Sequence, residues 1–107
     1  KINNFFNIIN ENKYVKPSWF GIPILISKNL KRDKIINNLE KKGIETRPII
    51  SGNFLKQPSV KKYKLNKNVK MKNAEYINQK GFFIGLPTKP LGKATVEKLA
   101  KKFEESI

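Results

Sequence analysis

The residues best placed to do chemistry fall in one short run, GIETRPIISGNFLKQP, residues 43–58. Arg47 is followed at once by Pro48, whose ring stiffens the chain beside the guanidinium. Ser51, Gly52 and Asn53 then permit a sharp turn, because Gly tolerates positive φ and Asn nearly so. A planar, bidentate cation and an adaptable amide on a stiff base suit carboxylate, phosphate or sugar hydroxyl groups. The plainer alternative is a surface ion pair of Arg47 with Glu45 or Glu40, with Asn53 doing no more than cap a turn. Spacing alone leans to the plainer reading.

Other chemistry is excluded by composition. The chain has no Cys and no His, which removes thiol nucleophiles, disulfides, Cys-ligated metals and the commonest general base. Asp33 is the only aspartate, and the seven glutamates fall mostly in apparent helices. No two carboxylates are evidently paired, as glycoside hydrolysis or a hard-metal site would need. We therefore expect no catalytic residue and no metal ligand in this chain.

The formal net charge is +15, from 23 basic and 8 acidic residues. Such a balance suggests a nucleic acid or an anionic membrane as partner. Yet Arg32 and Arg47 are the only arginines, and readers of nucleic acid lean on Arg for bidentate contacts. With so much Lys, Asn and Ile, the charge reads first as a bias of A/T-rich codons spread over solvated faces, and second as an anion-attracting surface. Residues 61–70 read as a solvated loop, whose functional alternative is attraction of a diphosphate. No apolar run approaches the roughly 20 residues that span a bilayer, so we expect a soluble, cytoplasmic protein without a membrane. The first residue is Lys1, which leads us to expect a polypeptide that continues upstream.

The elements that must position residues 43–58 follow from periodicity. The length, 107 residues, fits one domain, with an apolar share of 38% that makes help from a neighbouring domain unsurprising. Residues 1–16 read as a linker or docking helix. Residues 18–27, SWFGIPILIS, read as a strand with Phe20, Ile22, Ile24 and Ile26 on one face and Trp19, Pro23 and Leu25 on the other. Pro23 places that strand at an edge or at a bulge. Residues 32–42 read as a helix with an Ile35, Ile36, Leu39 stripe closed by Gly43, and residues 44–50 as a short strand.

Residues 51–69 have loop character, and residues 71–79 suggest a helix with Ala74, Tyr76 and Ile77 inward. Residues 82–86 form a further strand. Val96, Leu99, Ala100, Phe103 and Ile107 mark a last helix. The fold class expected is α/β (α+β): a two-layer domain with a mostly antiparallel, three- to four-stranded sheet, helices packed on it, in the order β-α-β-α-β-α. Trp19 with Phe20 reads as core or interface rather than a stacking platform. Phe82 with Phe83 reads as a two-sided strand rather than an RNA-recognition sheet.

Three stretches, SWFGIPILIS, RDKIINNLEKKGIETRPIISGNFLKQP and NAEYINQKGFFIGLPTKPL, together resemble the C-terminal part of the DegT/StrS family. These are PLP-dependent, fold-type-I enzymes of nucleotide-sugar biosynthesis. The first two stretches look most like the branch of sugar 3-dehydratases that act on CDP- or GDP-linked 4-keto-6-deoxyhexoses. The likeness runs from about residue 17 to about residue 91. It implies that residues 17–107 are the small C-terminal domain that closes over an active site whose PLP is held by a large domain absent here. It also implies a nucleotide-sugar substrate, a homodimer, and a place in deoxysugar or lipopolysaccharide biosynthesis. Arg47 and Asn53 occupy matching motif positions and are carried over as substrate-binding, with Gln57 and Phe83 as further candidates. The lysine or histidine that separates transamination from deoxygenation belongs to the missing domain, and the fragment alone is expected to be inactive. The competing readings are a small basic nucleic-acid-binding module and a purely structural or dimerisation domain.

Overall fold

A computed structural model describes residues 4–9, 12–65 and 69–107. Four strands form one antiparallel sheet in the order β1-β2-β4-β3. Strand β1 is Phe6–Ile8, β2 Gly21–Ile26, β3 Thr46–Pro48 and β4 Gly81–Gly85; the helices are α1 Arg32–Lys41, α2 Pro58–Lys62, α3 Lys72–Lys80 and α4 Lys93–Glu104.

One face of the sheet carries the core. Register sets Phe6 opposite Ile26, and Ile24 opposite Phe82, so their side chains lie on the same side. Ile35 and Leu39 of α1 and Phe103 of α4 complete the buried cluster, with Ile22, Ile84 and Leu99 packed partly against it. Phe6 and Phe103 meet edge to face, 5.3 Å between ring centres, a geometry that adds to the area both rings bury. Each such side chain contributes roughly 1.5–3 kcal/mol relative to exposure.

Helix α1 follows its expected stripe, with Ile35 and Leu39 buried and Ile36 half-buried. It ends in a Schellman closure: the Gly43 N–H donates to the Glu40 carbonyl and the Ile44 N–H to the Leu39 carbonyl. Gly43 takes φ +76°, which is easy only for glycine. The buried Ile44 supplies the hydrophobic contact that accompanies this motif. Two crossed contacts tie α1 and the turn before it to α3: Arg32 Nη1 donates to the Asn78 carbonyl at 2.6 Å, and Lys80 Nζ to the Leu30 carbonyl at 2.5 Å.

Four expectations are corrected. Where residues 1–16 read as a linker or docking helix, Phe6–Ile8 form strand β1, because they pair with Ile24–Ile26 of β2; residues 1–3, 10 and 11 lie outside the described residues. The loop at 51–69 contains a 3₁₀ turn, Phe54–Lys56, and helix α2. Pro58 starts α2 without losing a needed donor, and Val60 is fully buried. Residues 66–68 of the lysine-rich stretch at 61–70 lie outside the described residues. In α4 Val96 is half exposed, and only the C-terminal half of the helix reaches the core.

The fourth correction concerns Pro23. Strand β2 is central, not an edge, and its pairing with β4 is in register through Pro23. The Leu86 N–H donates to the Phe20 carbonyl and the Ser27 N–H to the Phe5 carbonyl. Antiparallel alternation then turns the even residues of β2 toward β4 and the odd ones toward β1. Pro23 therefore aims its missing N–H past Ile8, the last residue of β1. By the same alternation Arg47 bonds to β4 through its main chain, while Pro48 faces the free outer edge of β3.

Candidate substrate-facing site

Arg47 stands on the edge strand directly opposite Phe83, on the face away from the core. Phe83 owes its position to Gly21: a Cβ there would come within 2.7 Å of Phe83 Cδ2. Phe20, expected beside Ile22 on the core face, instead bends to the other face. Its ring meets Phe83 edge to face at 5.5 Å, and 73% of it stays exposed. Phe20 thus sits on a rim, not in a core.

Arg47, Phe83, Phe20, Ile50 and Leu91 line an open trough of about 880 Å³ that wraps round the β3 edge to Leu99 on the other side. The Arg47 side chain is 65% exposed and pairs with the Glu45 side chain, 76% exposed, at 2.5 Å. The ion pair anticipated as the plainer alternative therefore exists. An exposed pair is worth about 0–1 kcal/mol, little resistance to an incoming anion. Glu40, the other anticipated partner, instead accepts from Thr46 Oγ1 at 2.9 Å.

Asn53 and Gln57 lie elsewhere. Asn53 is buried; its Oδ1 accepts from the Leu55 N–H at 3.1 Å and its Nδ2 donates to Glu75 Oε2 at 2.9 Å. Gln57 Nε2 donates to the Ser51 carbonyl at 3.3 Å. Both side chains close the turn that follows β3, and neither lines the trough. The structure thus brings Arg47 and Phe83 together and sets Asn53 and Gln57 behind them.

The roles of two side chains were not foreseen in the sequence. Glu75 is the acceptor on which Asn53, Lys56 and Gln79 converge. Its carboxyl is held below the usual range, first by the Lys56 hydrogen bond and then by that from Asn53, with burial opposing. Arg32 joins α1 to α3, and its Nε is buried without a hydrogen-bond partner, although Asp33 Oδ1 lies 3.6 Å away. A lone glutamate in a helix gives no local signal of partners some 20 residues upstream.

The trough lining contains no lysine, and its one carboxylate, Glu45, is paired with Arg47. Among the described residues no three His, Cys, Asp or Glu side chains gather to hold a metal ion, and no helix is long and apolar enough to cross a membrane.

A four-stranded antiparallel sheet with helices packed against it defines a mixed α/β domain. The DegT/DnrJ/EryC1/StrS aminotransferase family matches over residues 2–104, and the chain belongs to that family. It is 44% identical over 73 residues to the GDP-4-keto-6-deoxy-D-mannose 3-dehydratase of Escherichia coli O55:H7, covering 64% of this chain and 18% of that protein. It is 37% identical over 72 residues to the enzyme of the same name from Yersinia pseudotuberculosis, covering 64% and 18%. A solved mutant of GDP-4-keto-6-deoxymannose-3-dehydratase with bound GDP-perosamine superposes with a TM-score of 0.73 at 31% identity, over 97% of this chain and 26% of that one. The E. coli 3-dehydratase with bound hydrated PLP gives 0.72 at 33%, over 94% and 25%. The chain spans about a fifth of the length of these curated relatives. The alternative of a free-standing nucleic-acid module finds no support in these likenesses.

Proposed function

We propose that this chain is the C-terminal small domain of a PLP-dependent enzyme that modifies a nucleotide-linked 4-keto-6-deoxy sugar. The reaction is a 3-dehydration or a transamination in deoxysugar or lipopolysaccharide biosynthesis, carried out in the cytoplasm by a homodimer. The relatives named above favour the dehydration. The pairing of strand β1 with β2 supports a domain that begins before residue 17.

The cofactor does not fit this chain by itself. A trough without a lysine amine has nothing to link to PLP, and Glu45, engaged with Arg47, is no free partner for a pyridinium nitrogen. PLP belongs to the rest of the polypeptide, where it serves as the electron sink, and this chain alone is inactive. What its own residues do is bind and orient. Arg47 offers a guanidinium to an anionic group of the substrate, and Phe83 and Phe20 give it an apolar wall. Asn53 and Gln57 act one step behind, by holding the turn.

One observation carries this reading: the arginine is fixed by its main chain to β4 while its side chain stays available at the trough. The test is Arg47→Lys in the full-length enzyme. A lost charge-assisted hydrogen bond is worth about 1.5–3 kcal/mol, so kcat/KM should fall by roughly ten- to a hundredfold. An unchanged kcat/KM overturns the assignment.

A further inference from the structure

The turn after β3 is held from outside. Ser51 takes φ +67° and Gly52 φ +43°, and the stretch passes so close to α3 that a Cβ on Gly52 would overlap Asn78. Opposite it α3 presents Glu75, Asn78 and Gln79, neighbours on one helix face by their three- and four-residue spacing. Glu75 takes a hydrogen bond from buried Asn53, one from Lys56 at 2.5 Å and one from its own helix neighbour Gln79 at 2.5 Å. The Asn53 N–H adds a long contact to Asn78 Oδ1, 3.4 Å.

These bonds do more than decorate a loop. The turn is the exit of β3, and β3 is only three residues long and paired on one side. Between Arg47 and the anchored Asn53 lie five residues, among them Ile50 of the trough. A non-glycine residue at positive φ persists only when its surroundings over-determine it, and the Glu75 anchor supplies that constraint.

We propose that Glu75 is a positioning residue: by fastening the residue 51–56 turn to α3, it sets the exit of β3 and with it the placing of Arg47 and Ile50 toward the substrate. The inference rests on the reading of Arg47 as a substrate contact and deepens it.

The experiment compares Glu75→Ala, Glu75→Gln and Arg47→Lys in the full-length enzyme, with amide exchange and steady-state kinetics on each. In Glu75→Ala, exchange at Gly52 to Leu55 should rise by about tenfold while Ile24 and Phe82 amides stay within about twofold. KM should rise by roughly tenfold with little change in kcat. Glu75→Gln keeps an acceptor for Asn53 and should recover most of both. Equal acceleration of exchange at the core amides, or an unmoved turn, overturns the inference. So does a KM that rises in Arg47→Lys but not in Glu75→Ala. If the turn loosens as expected while neither variant alters KM, the substrate role of Arg47 has failed, and the positioning role falls with it although the anchor stands.

Discussion

The two faces of the sheet use similar residues to opposite ends. On one, Ile24, Ile26 and Phe82 interlock with Ile35, Leu39 and Phe103 until almost no surface is left. On the other, Phe83, Phe20 and Arg47 line a trough that stays open. Adjacent phenylalanines, 82 and 83, fall on opposite sides of this divide purely through the two-residue period of a strand. The first is buried in the core; the second stays half-exposed at the trough, with the Phe20 ring edge to face and the bare backbone of Gly21 beside it.

The sharpest way to break this contrast is to cut into each face in turn. Phe82→Ala should cost about 3–5 kcal/mol, a large share of a domain stability of the order of 5–15 kcal/mol; urea denaturation measures it, and a loss below about 1 kcal/mol would deny that this face is the core. Gly21→Ala should cost less, about 1–3 kcal/mol, by pushing Phe83 off its seat. Its signature is a shift of the Phe20 and Phe83 ring resonances with those of Phe6 and Phe103 unmoved.

Acid probes the polar anchors. Glu75 and Glu105 both have lowered carboxyl values, caused first by hydrogen bonds from Lys56 and Lys42 respectively. A carboxyl depressed in the folded state stabilises above its unfolded value, about 4.3 for glutamate. That contribution is lost as pH falls through the folded value. Wild type should therefore lose more stability than the Glu75→Gln, Glu105→Gln double variant between about pH 5 and pH 3, read as urea midpoints; parallel losses would remove both anchors from the account. The smallest effect belongs to Arg47→Ala, which should change stability by no more than about 0.5 kcal/mol. A larger loss would make Arg47 a structural residue and close the gap between the two faces.

How much of this was legible in the sequence depended on range. Helix α1 and its Gly43 closure were, because both signals lie within one continuous periodic stretch. Strand β1 was not: three residues carry little pattern, and what makes them a strand is Ile24–Ile26, far along the chain. Helix α2 escaped because Val60 is the one buried residue in its five. For the site, Arg47 and Phe83 were each picked out, but nothing local announced that they stand opposite one another. Asn53 looked identical in both of its readings, since a buried amide bonded to Glu75 and a solvent-facing one have the same neighbours in sequence.

The two prolines of the sheet share an orientation whose effect reaches beyond this molecule. Pro48 on the outer edge and Pro23 beyond the end of β1 each turn a nitrogen without hydrogen toward the side where another extended chain could dock. A foreign strand laid along β3 meets a gap at Pro48 in the row of donors it needs, and one continuing the line of β1 along β2 meets the same gap at Pro23. Edge-to-edge pairing is thereby discouraged along β3, while on the other side Pro23 hinders only a strand that would extend the line of β1 past Ile8.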